Sequence, residues 1–210
     1  MEQANSVLDI GCGCGVITFC MAQRLARQKH SSLLGIDIDN LSIQEAQENR
    51  KNYPVYENQY INFENISLQD FTKTTTRKFD LIVTNPPFYG NSLKSPDVKK
   101  NISMHRDGNL PFEILALCAA QLLEKEGVFW LILPCAEMEV FYKTAQQTAD
   151  LYPFSHFEIF PVRDKKNNRI VAGFTQIRKL TYTKKDIYIR ERDGSYSKEY
   201  LELIHPFLLL

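Results

Sequence analysis

Four consecutive residues, Asn85-Pro86-Pro87-Phe88, combine a side-chain amide, two rigid imino acids and an aromatic face. Two prolines in succession fix φ and bias Asn85 toward an extended backbone, so the segment carrying the amide is stiff. Such a segment suits chemistry on an exocyclic amine. An amine conjugated to an aromatic ring is a poor nucleophile, because its lone pair is delocalised into the ring. Two fixed acceptors, the Asn85 side-chain carbonyl and the Pro86 backbone carbonyl, could hold both N–H groups and turn the lone pair toward an electrophile without a strong general base. Phe88 would supply a flat apolar face on which an extruded base stacks. Asn-Pro also starts ordinary turns, and the four residues alone leave that reading open.

A second group lies near the start of the chain, where Asp9-Ile10-Gly11-Cys12-Gly13-Cys14-Gly15 ends the apolar run that begins at Ser6. Glycines at alternate positions let the backbone turn sharply and approach a ligand closely. A dinucleotide fingerprint G-x-G-x-x-G would need glycine at position 16, and the chain has Val16 there, which weakens a nicotinamide reading. Asp37 closes a second apolar run, where a carboxylate can accept hydrogen bonds from both hydroxyls of an unphosphorylated ribose. Cys12 and Cys14 flank Gly13, but no Cys or His pair at ligand spacing follows, and no metal is expected.

These groups require strands that end where they sit. Ser6 to Ile10, Leu33 to Ile38, Phe79 to Thr84 and Val128 to Leu133 read as buried strands, with helices over Val16–Ala26, Ser42–Asn52 and Pro111–Lys125. Strands alternating with helices imply a mostly parallel sheet covered on both faces. Beyond Leu151, alternating segments at Phe154–Val162 and Arg169–Arg178 predict a terminal hairpin, followed by a third segment at Asp186–Arg192 and a helical tail from Lys198 to about Phe207. The segment from Tyr89 to Leu110 lacks periodicity and directly follows Phe88, as functional loops do.

Asp9-x-Gly11-x-Gly13-x-Gly15 followed by Asp37 resembles the first two motifs of the Rossmann-like S-adenosylmethionine-dependent methyltransferases. The resemblance implies S-adenosylmethionine as cofactor, with the glycine loop on its methionine and ribose parts and Asp37 on the ribose. It also implies an adenine contact from an acid after the third strand, matching Asp70, which could instead cap a helix. Asn85-Pro86-Pro87-Phe88 resembles the Asn/Asp-Pro-Pro-Tyr/Phe signature of amino methyltransferases acting on adenine N6, guanine N2 or a glutamine amide. Phe79 through Tyr89, Met104-His105-Arg106 and the ending Asp193-Gly194-Ser195-Tyr196-Ser197-Lys198-Glu199-Tyr200 together look like the bacterial tRNA(Val) adenine-N6 methyltransferases, which modify adenosine 37. That similarity implies a α/β Rossmann-like fold, with a mostly parallel seven-stranded sheet, a C-terminal antiparallel hairpin and helices on both faces. It further implies Asn85, Pro86 and Phe88 as catalytic residues, Asn85 also touching the cofactor, and Pro87 and Tyr89 on the substrate side; His105 and Arg106, in the loop beside this motif, could meet a substrate phosphate or stack on a base, or be ordinary exposed loop residues. Members of the family carry a short segment ahead of the glycine loop that this chain is expected to lack.

The 210 residues suit one methyltransferase domain spanning 1–210. Five scattered cysteines do not resemble a secreted disulfide framework, and neither a signal peptide nor an apolar span of membrane length is present, so a soluble, cytoplasmic monomer is expected. Net charge is zero, which excludes a protein whose whole surface attracts nucleic acid. The distribution is uneven: residues 1–150 hold 14 Lys+Arg against 18 Asp+Glu, a net of −4, while residues 151–210 hold 11 against 7, a net of +4. The expected partner, tRNA, would be drawn to the C-terminal part. Lys94, Lys99, Lys100, Lys165, Lys166, Arg169, Lys184 and Lys185 would form a phosphate-tracking surface if the fold brought them together. His30, His156 and His205 have no motif context and are read as structural.

Overall fold

The computed structural model describes residues 4–26, 30–53, 59–86 and 110–207. One sheet holds eight strands: β1 (Ser6–Ile10), β2 (Ser31–Asp37), β3 (Gln59–Asn65), β4 (Phe79–Thr84), β5 (Leu123–Pro134), β6 (Tyr152–Phe160), β7 (Arg169–Thr175) and β8 (Thr183–Tyr188). Their order is β3-β2-β1-β4-β5-β7-β6-β8. The first five positions are parallel, β7 is antiparallel to both neighbours, and β8 is parallel to β6. The described helices are α1 (Val16–Leu25), α2 (Asn40–Asn52), α3 (Leu68–Thr74), α4 (Phe112–Leu122), α5 (Cys135–Ala149) and α6 (Lys198–Ile204).

Successive strand residues point to opposite faces, so β1, β2 and β4 feed two cores at once. Val7, Leu33 and Leu81 cluster with Ala22 and Leu25 of α1 and Ile43 and Ala46 of α2. Leu8, Leu34 and Ile82 belong to the other cluster, with Phe71 of α3, Leu115 and Ala119 of α4 and Met138 and Phe141 of α5. Each of the Val, Leu, Ile, Met and Phe side chains among these contributes about 1.5–3 kcal/mol on burial. The same alternation puts Asp9 on the α1 face, beside Val7 in parity. At the opposite end, the Asp80 carboxylate accepts from the Asn5 and Ser6 N–H groups at 2.9 and 3.0 Å and from the Ser6 hydroxyl at 3.0 Å, fastening the entry of β1 to β4.

The Rossmann-like class agrees with the expectation, and the strand count does not. Among the described residues the sheet has eight strands, not seven, because Thr183–Tyr188 pairs along β6 and covers what would otherwise be an open edge. The hairpin is also not simply appended. β7 lies between β5 and β6, so the chain crosses over by α5, leaves a gap beside β5, and fills it with the next strand. α4 ends at Leu122 instead of Lys125, since Leu123 already pairs with Phe79. The register then shifts to Leu81 opposite Val128, and Gly127 permits it: a Cβ there would lie 2.8 Å from the Phe79 carbonyl oxygen. Helix-forming Leu-Glu-Lys-Glu is overridden by this pairing. α5 had no place in the expectation. Pro134 precedes it without a side-chain cap, so the usual start signal is missing. Among the described residues no helix is long and apolar enough to cross a membrane.

Candidate functional site

β1, β2 and β4 end level with one another. Ile10 is paired with Ile36 on one side and Thr84 on the other. Gly11, Asp37 and Asn85 are each the next residue along, so all three stand in one row at the carboxyl end of the sheet. The order places β1 beside β4, with the chain running outward in opposite directions from that pair, which is where open α/β sheets bind ligands. Strand spacing puts Asp37 and Asn85 about 10 Å apart across Gly11.

The glycine loop is fastened from below. Gly11 and Cys12 donate their N–H groups to the Ile36 carbonyl at 2.9 and 3.1 Å, and Asn49 of α2 donates its side-chain amide to the Cys14 carbonyl at 3.1 Å. Gly13 sits at φ 53° and donates to Asp37 Oδ2 at 2.9 Å. A Cβ at Gly11 or Gly13 would meet nothing within 4 Å, so open space lies over this part of the loop. Gly15 is different: it starts α1 at φ 89°, and a Cβ there would lie 2.8 Å from both Phe19 and Phe63. Gly15 is needed for packing, whereas Gly13 borders the space a ligand would take. The first turn of α1 has no side-chain cap, leaving N–H groups and the positive end of the helix dipole toward the loop. All five cysteines are free thiols, and burial pushes the Cys12 thiol far above its ordinary value. Among the described residues no three His, Cys, Asp or Glu side chains converge to hold a metal ion.

Asp37 joins this loop to β3. Its Oδ2 takes the Gly13 N–H, its Oδ1 takes the Asp39 N–H at 2.9 Å, and its backbone carbonyl accepts from the Asn65 amide and the Ile66 N–H, both at 3.0 Å. Each carboxylate oxygen retains a lone pair for a ribose hydroxyl. Asp70 stands after β3 as expected, but the cap of α3 is Ser67. The two form a reciprocal capping pair: Asp70 N–H donates to Ser67 Oγ at 3.1 Å, and the Ser67 hydroxyl donates to Asp70 Oδ2 at 2.8 Å. Lys73 adds a 3.2 Å ion pair, and these partners hold the exposed Asp70 carboxyl below its ordinary range.

Asp9 is fully buried and is met by Thr18 of α1, whose hydroxyl donates to Oδ2 at 2.7 Å. Its Oδ1 is buried with no hydrogen-bond partner among the described residues. Burial lifts the carboxyl from 3.8 to about 6, the Thr18 bonds oppose that, and the charge of Asp37 adds to it. An orphaned carboxylate oxygen suits a ligand carrying a cation or N–H donor. Together with the open space over Gly11 and Gly13 and the spare lone pairs of Asp37, it fits S-adenosylmethionine. The burial has a consequence for stability. Because the folded carboxyl holds its proton more tightly than an unfolded aspartate, its contribution is fully present below about pH 4 and is lost as the pH rises through about 6. A shift of this size corresponds to about 3 kcal/mol. Thermal unfolding of the cofactor-free protein should move upward between about pH 7.5 and pH 5, and Asp9→Asn should flatten that rise; an unchanged slope would contradict the assignment.

Asn85 is exposed and follows Thr84, whose buried hydroxyl donates to the Ile10 carbonyl at 2.7 Å, while Pro86 is buried. The anchored threonine and packed proline bracket the amide. Pro87, Phe88, Tyr89, His105 and Arg106 lie outside the described residues, as do Lys94, Lys99 and Lys100. The remaining basic residues do not converge as one surface. Lys165 and Lys166 stand between β6 and β7 and Arg169 opens β7, all beyond the Asn85 row, whereas Lys184 and Lys185 are level with Thr84 and Asn85 but lie on the edge strand β8, four strands away from β4, and Lys184 pairs with Glu158 at 2.7 Å. His156 is structural as expected, its Nδ1 2.6 Å from the Tyr142 hydroxyl. Thr18 was not foreseen. A hydroxyl early in the helix after a glycine loop carries little signal, because only the strand parity shows that it faces Asp9.

The sequence model of the methyltransferase small domain family matches residues 1–137. A tRNA1(Val) (adenine(37)-N6)-methyltransferase from Dyadobacter fermentans is 31% identical over 212 residues, covering 100% of this chain and 85% of the relative. A protein of the same description from Phocaeicola vulgatus is 33% identical over 209 residues, covering 98% and 83%. Among solved structures, a predicted O-methyltransferase from Agrobacterium tumefaciens superposes with a TM-score of 0.71 at 13% identity, covering 98% of this chain and 91% of the other. A ribosomal protein L11 methylase from Lactobacillus delbrueckii gives 0.56 at 19% identity, covering 85% and 72%. At such identities the structures speak for the fold alone.

Proposed function

The chain belongs to the methyltransferase small domain family and, within it, to the tRNA1(Val) (adenine(37)-N6)-methyltransferases, and on that premise we propose that it methylates N6 of adenosine 37 in tRNA1(Val) with S-adenosylmethionine as donor. The observation that carries the reading is the single row of Gly11, Asp37 and Asn85, which supports a cofactor cradle and an amine-holding amide side by side. When bound, S-adenosylmethionine supplies a methyl carbon made electrophilic by a sulfonium sulfur.

The residues then divide the work. Asp37 accepts the ribose hydroxyls, Gly11 and Gly13 let the ligand lie against backbone, Gly15 keeps the helix entry closed behind it, and Asp9 offers its orphaned oxygen. Asp70 accepts from the adenine amino group of the cofactor with lone pairs not used by Ser67 and Lys73. Asn85 Oδ1 and the Pro86 carbonyl accept the two N–H groups of the target amine and hold its lone pair out of conjugation. Phe88 stacks on the extruded base, and Pro87, Tyr89, His105 and Arg106 line the substrate side. A monomer working in the cytoplasm, where its tRNA is, completes the reading.

Digestion of RNA labelled from methyl-tritiated S-adenosylmethionine should yield N6-methyladenosine. Label in N2-methylguanosine, or in N5-methylglutamine when protein substrates are offered, would replace adenine by guanine or a protein amide. No label with any substrate, from a chain that binds the cofactor, would make it a silent binding module.

A further inference from the structure

β5, β6 and β7 continue beyond the row in which Gly11, Asp37 and Asn85 stand. Thr84 is level with Leu131, and β5 runs on to Pro134, which pairs with Arg169. Asn85 is thus level with Ile132, and two further residues raise this part of the sheet about 7 Å above the site, as a wall on the β4 side. Two segments form its rim: residues 161–168 between β6 and β7, and residues 189–197 between β8 and α6.

The two segments are knitted together. Arg163 N–H donates to the Arg190 carbonyl at 2.9 Å, and its guanidinium makes two bonds to Glu191, at 2.7 and 3.0 Å, while lying 4.2 Å over the Tyr188 ring. Arg192 pairs with Asp164. Arg190 lies 4.2 Å over the exposed Tyr196 ring and donates to the Gly194 carbonyl at 2.6 Å. The rim, with Arg169 at its base, holds Arg163, Lys165, Lys166, Arg169, Arg190 and Arg192 against Asp164, Glu191 and Asp193, a net of +3. Glu191 and Asp164 are engaged by arginines of the rim itself. Lys165 and Lys166 are exposed at its tip and form no ion pair among the described residues.

We propose that this rim is the surface that holds the RNA strand beside the target nucleotide, with Lys165 and Lys166 on phosphates and the Arg190–Tyr196 stack as a platform for an unpaired base. The chemistry matches that partner. Phosphates need unpaired cations, and single-stranded RNA bases stack on aromatic rings and guanidinium planes. The segments are ordered by their own hydrogen bonds, so little freedom is lost on binding. Across the sheet residues 161–168 lie two to three strand spacings from Asn85, about 10–15 Å, and residues 189–197 about four spacings, about 20 Å, a span that a strand of a few nucleotides flanking a flipped base covers. The inference rests on the proposed RNA substrate, and the test separates the two.

Lys165→Glu/Lys166→Glu and Arg190→Ala/Tyr196→Ala proteins would be compared with wild type on unmodified tRNA1(Val) transcript, alongside Lys125→Glu/Lys143→Glu, which changes as much charge outside the rim. S-adenosylmethionine affinity by calorimetry should stay unchanged in all, and unfolding temperature in the two lysine-charge variants, while Arg190→Ala/Tyr196→Ala loses only the local contacts of Arg190 with Gly194 and Tyr196. Both rim variants should raise Kd and KM for the transcript roughly ten- to hundredfold, and the lysine variant should flatten the salt dependence of log Kd by about two. The control should match wild type. Rim variants that bind and turn over the transcript as wild type does, or a control equally impaired, would overturn the rim assignment while leaving the RNA reading intact. A wild-type protein that ignores the transcript and binds an acidic protein through the same lysines would overturn both.

Discussion

Asn85→Ala should lower the turnover number roughly 10²–10³-fold while leaving S-adenosylmethionine affinity within a few-fold of wild type. Alanine removes an acceptor that is fixed before the substrate arrives. Thr84 is tied to Ile10 and Pro86 is buried, so the backbone on both sides of residue 85 is held whether or not an amide is present. The side chain is exposed, so its loss leaves no cavity and the unfolding temperature should not move. Asn85→Asp keeps an acceptor oxygen and should retain more turnover than alanine. Single-turnover kinetics with saturating cofactor would separate these outcomes. A variant that loses affinity and turnover together would mean that Asn85 serves the cofactor rather than the amine.

Asp37→Asn should raise the S-adenosylmethionine Kd about 10- to 100-fold, the size expected when a charged acceptor shared by two hydroxyls is lost. Two effects add. The ribose loses a carboxylate, and the Gly13 N–H, now 2.9 Å from Oδ2, loses the bond that holds the loop against β2. An amide can satisfy Gly13 or the ribose through its one oxygen, and its NH₂ group then faces the Asp39 N–H as a second donor. Turnover at saturating cofactor should fall much less than in Asn85→Ala. 5′-Methylthioadenosine, which keeps the ribose but not the amino-acid part, should lose affinity to the same degree; unaffected binding would move the ribose elsewhere.

These residues were legible in the sequence because each ends a short, mostly apolar run. Ser6–Ile10 and Phe79–Thr84 coincide with β1 and β4, since strands buried on both faces are largely apolar and the polar residues within them, Asp9, Asp80 and Thr84, are each tied by hydrogen bonds. What followed Leu122 was less legible. The β5 register is set by a bulge opposite Phe79 and the close approach at Gly127, and neither leaves a local pattern. The placement of β7 between β5 and β6, and the addition of β8, depend on long-range pairing that alternation alone does not encode. Cations in a sequence carry no direction either. Lys166 and Lys184 looked equivalent until the sheet put one in the segment beyond the ends of β6 and β7 and the other on the edge strand, level with Thr84 and paired with Glu158. Asp9 shows the converse: its place in the glycine motif was evident, but its burial and its bond to Thr18 emerge only from the packing of α1 on β1.

The most direct test of the central claim is to incubate the purified chain with S-adenosylmethionine and unmodified tRNA1(Val) and to map the product by mass spectrometry of nuclease fragments. One methyl group should appear, on N6 of adenosine 37, and a transcript with guanosine at that position should receive none. A chain that binds S-adenosylmethionine yet leaves adenosine 37 unmodified, or places the methyl group on another nucleotide, would contradict it.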